Sequence, residues 1–294
     1  MTITEALQMA KKSLKKYLQK DDTPNLDAEV LLADILSVSR TYLFAHGNTS
    51  LSQKNLKKYS VLLKKRTFGT PISHLLHRKE FFGLEFYVDE HVLTPRPETE
   101  ILVEKALEIL KNFEKSTILD IGTGSGCIAI SLRKYLPACH QMYAIDISEK
   151  ALKIARKNAR LLHASYIIFK KSNLLKNIRL PKNTPCPVLV LANLPYIPKR
   201  DILPVEVKKY DPKIALLSGN DGLSLYRRFF QELQKFPCDM CIFEFSQKQK
   251  LKIKKIVLKH FPHAKLSIFP KMKSPISLGI LALNPCFLPQ KMIQ

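Results

Sequence analysis

Glycine is scarce in this chain, nine in 294 residues, so any cluster of it carries information. Apolar runs are short, far below the ~18–20 residues that cross a bilayer, which argues against a membrane-spanning helix. The opening Met-Thr-Ile-Thr-Glu-Ala-Leu-Gln-Met-Ala-Lys-Lys lacks a basic stretch followed by an apolar one. No secretory signal is therefore expected, and the cytosol is the default location. The six cysteines, Cys127, Cys139, Cys186, Cys238, Cys241 and Cys286, are too few and too scattered for a disulfide framework. Only Cys238 and Cys241 are close. They have no second pair and no His-x-x-x-His partner, and they sit in Cys-Asp-Met-Cys-Ile-Phe-Glu-Phe, which reads as a buried strand. No metal is expected.

What is present describes an ordinary folded protein. Hydrophobic residues make up 46% and charged residues 25%, which excludes wholesale disorder. At roughly 100–200 residues per domain, one large or two modest domains are expected, with a core that needs no disulfide or metal to hold it. Lys and Arg total 48 against 25 acids, a net charge of +23. Residues 1–94 carry +4 of this and residues 95–294 carry +19. A basic domain suggests a polyanionic or acidic partner. Yet 37 of the cations are Lys and only 11 are Arg, and phosphate recognition favours Arg. Simple solvation by lysine accounts for the excess equally well.

Along the chain, Ile3, Leu7, Ala10, Leu14 and Leu18 recur at helical spacing, with Thr4 or Asn25 available as caps. Leu26, Val30, Leu31 and Ile35 repeat the pattern, as do Leu56, Tyr59, Leu62 and Leu63. Residues 1–72 thus read as a small helical bundle. Residues 73–94 read as a hairpin linker around Gly83, and residues 95–294 as the second domain. There, two prolines around Arg96 forbid regular structure before a helix over 98–113. Strands are expected at 117–121, 141–146, 166–170, 187–192, 240–245, 265–269 and 276–283. Helices are expected at 127–135, 149–163, 223–235 and 247–260. Such alternation implies an α/β fold with a seven-stranded, mostly parallel, Rossmann-like sheet covered on both faces. The last two strands, with no helix between them, should pair antiparallel.

Three of the nine glycines fall within five residues, in Ile118-Leu-Asp-Ile-Gly122-Thr-Gly124-Ser-Gly126. An apolar strand runs into this turn and a helix leaves it, the context of a nucleotide-binding loop. The G-x-G-x-G spacing favours S-adenosylmethionine over a pyrophosphate. Asp146 ends the next strand, where a carboxylate can hold a ribose diol. The plain alternative is a tight turn with a surface Asp. A second constellation, Asn193-Leu194-Pro195-Tyr196, follows the apolar strand at 187–192. Ligands bind at the carboxyl ends of such strands, although the same residues could make a simple turn.

Together these motifs resemble class I S-adenosylmethionine-dependent methyltransferases that act on amino groups, whose motif is Asn-Pro-Pro-Tyr or Asp-Pro-Pro-Tyr. The whole chain resembles, more narrowly, the peptide chain release factor glutamine-N5 methyltransferases. The likeness includes Glu80-Phe-Phe-Gly-Leu-Glu-Phe, Thr94-Pro-Arg-Pro-Glu-Thr-Glu100 and Ser218-Gly-Asn-Asp-Gly-Leu-Ser-Leu-Tyr226. Relatives that methylate a ribosomal-protein glutamine usually carry Pro-Arg-Ser-Pro in place of the second segment. Two positions depart from the pattern: Leu194 replaces the first proline, and Asn173 stands where an acid near the adenine is expected. Asn173 could still accept from an adenine amino group through its side-chain oxygen.

The resemblance implies a cofactor, S-adenosylmethionine, held by Gly122, Thr123, Gly124, Ser125 and Gly126 at its amino-acid end. Asp146 would hold its ribose, Asn173 and Leu174 its adenine, and residues 95–100 would lie over the same cleft. It implies as substrate a glutamine in the Gly-Gly-Gln loop of release factors. The Asn193 side-chain oxygen and the Leu194 carbonyl would accept that amide's two N–H donors, with Pro195 and Tyr196 beside it. A monomer is expected, with the helical bundle docking the partner. Three alternatives remain: an N6-adenine nucleic-acid methyltransferase, whose exocyclic amine resembles an amide; a ribosomal-protein glutamine methyltransferase; and a cofactor-binding scaffold that lost catalysis through Leu194. The low arginine content and the absence of a basic–aromatic stretch make nucleic acid the less favoured partner.

Overall fold

The structure, a computed structural model, describes residues 1–17, 23–203, 205–270 and 274–284; Leu18 and Cys286 lie outside these. It divides into two compact units, residues 1–78 with 203–210, and residues 79–202 with 211–294.

The first unit contains α1 (Ile3–Tyr17), α2 (Pro24–Leu36), α3 (Arg40–Ala45), α4 (Gln53–Thr67), α5 (Ile72–Leu76) and, from far along the chain, α9 (Val205–Tyr210). Helix α1 buries Ile3, Ala6, Leu7, Ala10 and Leu14, one stripe at helical spacing. Its cap is not Thr4, which lies inside the helix, but Thr2. The Thr2 hydroxyl accepts from Glu5 N at 3.3 Å while Glu5 Oε2 accepts from Thr2 N at 2.8 Å, a reciprocal box that satisfies two end donors. Asn25 likewise lies inside α2, which starts after Thr23 with Pro24 in its first turn, where the missing N–H costs nothing. In the core, Tyr59 donates to the Ala28 carbonyl at 2.9 Å. Arg66 Nε donates to Asp27 Oδ2 at 2.7 Å, with both side chains buried.

The second unit opens with a hairpin, β1 (Arg78–Phe81) and β2 (Leu84–Tyr87). A 3₁₀ turn, Pro97–Thr99, precedes α6 (Glu100–Leu110), so the helix starts two residues later than its acids suggest; the prolines fix the chain until then. The sheet consists of β3 (Thr117–Ile121), β4 (Gln141–Asp146), β5 (Ile167–Lys171), β6 (Val188–Ala192), β7 (Met240–Ser246), β8 (Lys265–Pro270) and β9 (Ile276–Ala282). Helices α7 (Cys127–Tyr135), α8 (Glu149–Leu161), α10 (Ser224–Leu233) and α11 (Lys250–His260) connect them. The strand order is β5-β4-β3-β6-β7-β9-β8. The first five strands are parallel, and β9 runs antiparallel between β7 and β8.

Every residue of β3 and β6 is buried, as expected for central parallel strands that read as unbroken apolar runs. Alternation sends their side chains into two cores. Ile118, Leu189 and Leu191 meet Leu102 and Val103 of α6 and Ile128 and Leu132 of α7. Leu119, Ile121 and Val190 meet Tyr226 and Phe229 of α10 and Ile253 of α11 on the other face. Cys241 is buried in β7 in this second core, and burial pushes its thiol and that of Cys238 well up. Such thiols resist the deprotonation that metal or redox chemistry requires.

Candidate active site

The order of the strands places the site. The chain winds from β3 outward to β4 and β5, then returns to place β6 on the other side of β3. The crevice between the carboxyl ends of β3 and β6 is thus a topological switch point, where such sheets bind ligands. The register pairs Ile121 with both Ile145 and Ala192, and Ala192 with Phe243. The next residue of each strand therefore comes level with its neighbours: Gly122, Asp146, Asn193 and Glu244.

A cavity of about 380 Å³ opens there. Gly122, Gly124, Asp146, Asn173, Leu174, Asn193, Leu194 and Pro195 all contribute to its wall. Thr123, Ser125, Gly126 and Tyr196 do not. Thr123 and Ser125 point inward, 3% and 2% exposed, and hold the loop instead. The Thr123 hydroxyl donates to Asp120 Oδ2 at 2.6 Å, and the Ser125 carbonyl accepts from Asn158 Nδ2 at 2.8 Å. Asp120, not singled out by the sequence, also accepts from Ala129 N, so one carboxylate pins both the loop and α7. Burial pushes Asp120 up to about 7, against the pull of those two donors.

At Gly124, φ is +55°, and a Cβ would project into open space, with only the Gly122 carbonyl oxygen within 4 Å. Backbone is thus bared toward the cavity where a side chain would occupy ligand space. Asp146 Oδ2 accepts from Gly124 N at 2.9 Å and Oδ1 from Ser148 N at 2.8 Å. Burial raises the Asp146 pKa, partly offset by these donors. Each carboxylate oxygen retains a further acceptor position. With Val92, Ile147 and Leu174 as apolar wall, this set fits S-adenosylmethionine: a carboxylate for a diol, flat apolar surface for a purine, and bare backbone beside them.

Asn173 has a partner that the sequence did not indicate. Its side-chain oxygen accepts from Arg228 Nη2 at 3.0 Å, so the group proposed to meet an adenine amino group already has a cationic partner. Arg228, on α10, lines the cavity too.

Around the Asn-Leu-Pro-Tyr turn, Asn193 Nδ2 donates to Thr99 Oγ1 at 2.9 Å, and the Thr99 hydroxyl donates to Glu244 Oε2 at 2.8 Å. The Tyr196 hydroxyl donates to Glu244 Oε1 at 3.2 Å. Burial and this carboxylate raise the Tyr196 pKa. Residues 95–100 thus meet Asn193 through Thr99, from outside the cavity wall. Leu194 is buried, with Cδ2 only 3.3 Å from where a Cβ on Gly122 would lie. Its N–H, which a proline would lack, donates to the Tyr226 hydroxyl at 3.4 Å. The turn is clamped from behind: Gln249 Nε2 donates to the Tyr196 carbonyl at 2.8 Å, and a Cβ on Gly222 would come within 2.1 Å of that same oxygen.

Comparison with known proteins is consistent with this geometry. Residues 5–76 match the PrmC N-terminal domain and residues 112–184 a methyltransferase domain. The chain is 35% identical over 276 residues to the release factor glutamine methyltransferase of Bacillus cereus, covering 91% of this chain and 94% of that one. Against the enzyme of that name from Buchnera aphidicola subsp. Baizongia pistaciae it is 35% identical over 263 residues, with 88% and 92% covered. Against that of Coxiella burnetii it is 36% identical over 239 residues, with 79% and 82% covered. Among solved structures, the catalytic domain of hMettl16 in complex with MAT2A 3'UTR hairpin 6 aligns with a TM-score of 0.54 at 17% identity, over 78% of this chain and 83% of that one. At that identity the match reports a shared fold. Matching over nearly their whole length relatives that share this name, the chain belongs to the release factor glutamine methyltransferase family, whose cofactor is S-adenosylmethionine.

Proposed function

We propose that this protein methylates the side-chain amide nitrogen of the glutamine in the Gly-Gly-Gln loop of peptide chain release factors. The observation that carries the reading is Asn193. Its side-chain nitrogen is engaged by Thr99, while its side-chain oxygen has no protein partner among the described residues and the residue lines the cavity beside Gly122. An amide nitrogen is a poor nucleophile because its lone pair is delocalised into the carbonyl. Bound S-adenosylmethionine supplies an electrophilic methyl group on a sulfonium.

The chain's own contribution is orientation and charge. Asn193 Oδ1 and the Leu194 carbonyl accept the two N–H donors of the substrate amide and fix its plane, leaving the nitrogen's remaining face toward the donor. Both oxygens also stabilise positive charge as it grows on that nitrogen. No tuned base is required, since the methylated nitrogen is acidic until it loses its proton. Leu194 offers the same backbone carbonyl that a proline would, and Pro195 keeps residue 194 extended. Pro195 forms wall beside the amide, and Tyr196 is held at the margin by Glu244. Asp146 accepts from the cofactor's ribose and the Gly122–Gly124 backbone faces its amino-acid end. The helical residues 1–72 supply a second contact with the release factor.

Purified release factor incubated with the protein and S-adenosylmethionine is expected to gain one methyl group at the glutamine, read by peptide mass analysis. Asn193→Ala is expected to lose transfer, at roughly 2.7–4 kcal/mol of barrier per deleted acceptor, with cofactor binding little changed. Turnover near wild type in that variant would remove the assignment. The +19 charge of residues 95–294 favours a second reading, N6-adenine methylation of nucleic acid. The same assay with labelled cofactor and RNA or DNA decides between them.

A further inference from the structure

The two ends of the Asn193 amide are nearly the same size, yet only one can serve the reaction. If the amide turned by half a revolution, its NH₂ would face the substrate NH₂, donor against donor. Something must fix the direction, and the hydrogen bonds behind Asn193 do so. A carboxylate has no proton to donate, so each hydroxyl beside Glu244 must donate to it. The Tyr196 hydroxyl meets Oε1 at 3.2 Å and the Thr99 hydroxyl meets Oε2 at 2.8 Å. Thr99 has then spent its only proton and can offer Asn193 nothing but an acceptor. Asn193 must turn its Nδ2 to Thr99, at 2.9 Å, and its oxygen faces the other way.

We propose that Glu244 and Thr99 are positioning residues that set the direction of the Asn193 amide, so that its oxygen meets the substrate glutamine. This rests on the reading of Asn193 as the residue that grips the amide. Burial strengthens the arrangement: Thr99 and Glu244 are each 2% exposed, so water offers no competing partner. A chain of aligned hydrogen bonds beginning at a carboxylate also pushes electron density toward the far oxygen. Asn193 Oδ1 becomes a better acceptor as positive charge develops on the substrate nitrogen. The chain spans three separate elements: the 3₁₀ turn at Pro97–Thr99, the end of β6 and the sheet strand β7.

The test compares Thr99→Val and Thr99→Ala, which lack the hydroxyl, with Thr99→Ser, which keeps it, and with Asn193→Ala. Each is assayed on a release factor for kcat and KM, with cofactor affinity by calorimetry and thermal midpoint measured alongside. The expected result is a kcat loss of roughly 10–100-fold in the Val and Ala variants, at unchanged cofactor affinity, with Ser restoring most of the rate. The alanine variant guards against a folding failure of the branched one. Wild-type kcat in both hydroxyl-less variants while Asn193→Ala is inactive would overturn the relay and leave the grip of Asn193 standing. A serine variant as slow as valine, or a loss of cofactor affinity parallel to the loss of rate, would also overturn it. An active Asn193→Ala would remove the grip and the relay together.

Discussion

Two residues that break the family pattern show how a local change is absorbed. Replacing a proline by Leu194 introduces an N–H beside a buried side chain, and an orphaned buried donor costs about 1–3 kcal/mol. The Tyr226 hydroxyl accepts that donor and itself donates to the Glu244 carbonyl, so nothing is left unpaired. At Asn173, loss of the acidic charge leaves Arg228 with a neutral acceptor at 3.0 Å and with Glu232 at 3.6 Å.

Asp120 gives a residue-level prediction about pH. Its carboxyl titrates near 7 in the fold against an ordinary value of 3.8. Between those values the folded state holds the proton more tightly than the unfolded chain, so folding stability falls as pH rises through the window and levels off above it. Asn at this position keeps an acceptor for Thr123 and Ala129 but cannot ionise. Urea unfolding of both proteins from pH 4 to 8 is expected to show Asp120→Asn gaining on the wild type up to about pH 7, then a constant difference.

At the scale of elements, the segment between β6 and α10 works as a clamp on the Asn193–Tyr196 turn. Gly222 has φ +78°, a region that costs an L-residue roughly 1–2 kcal/mol. Its missing Cβ leaves room for the Tyr196 carbonyl and for Gln249 Nε2, which donates to both Tyr196 O and Asp221 O. Gly222→Ala is therefore expected to lose at least that stability in denaturant unfolding, and to lose more in turnover, because relief of the clash moves the turn that carries Asn193.

The helical unit has its own fixed point between α2 and α4. Arg66 and Asp27 are both buried, with Nε 2.7 Å from Oδ2, and Asp27→Ala takes that carboxylate away from the guanidinium. Asp27→Ala should destabilise this unit, seen as an earlier transition in thermal unfolding followed by far-UV circular dichroism. A variant that melts like the wild type would show the pair to be energetically idle.

Over the whole molecule, the seven-stranded sheet and the order of its elements were readable from periodicity alone. Runs such as Val188–Ala192 are apolar throughout because both faces are covered, and the strand–glycine–helix passage at Gly122 states its own geometry. The meeting of Gly122, Asp146 and Asn193 followed as soon as ligands were assigned to the carboxyl ends of parallel strands. Local competition was harder to read. Thr2 and Thr4 both precede apolar helical positions, and only the Glu5 side chain reaching back decides that Thr2 is the cap. Thr123, Ser125 and Gly126 look like their loop neighbours in sequence, yet the turn of the chain points them into the protein.

The sequence by itself pointed to the family and the cofactor and singled out the Asn193–Tyr196 turn, because those depend on residues adjacent in the chain. Only the tertiary structure decided how that turn is aimed. Thr99, Asn193 and Glu244 lie far apart in sequence and become neighbours through strand order and register. Hydrogen-bond direction is a property of the assembled set: each donor's role is fixed by what its partner can accept. No spacing along the chain records that a buried carboxylate on β7 bears on which end of the asparagine following β6 faces the cavity.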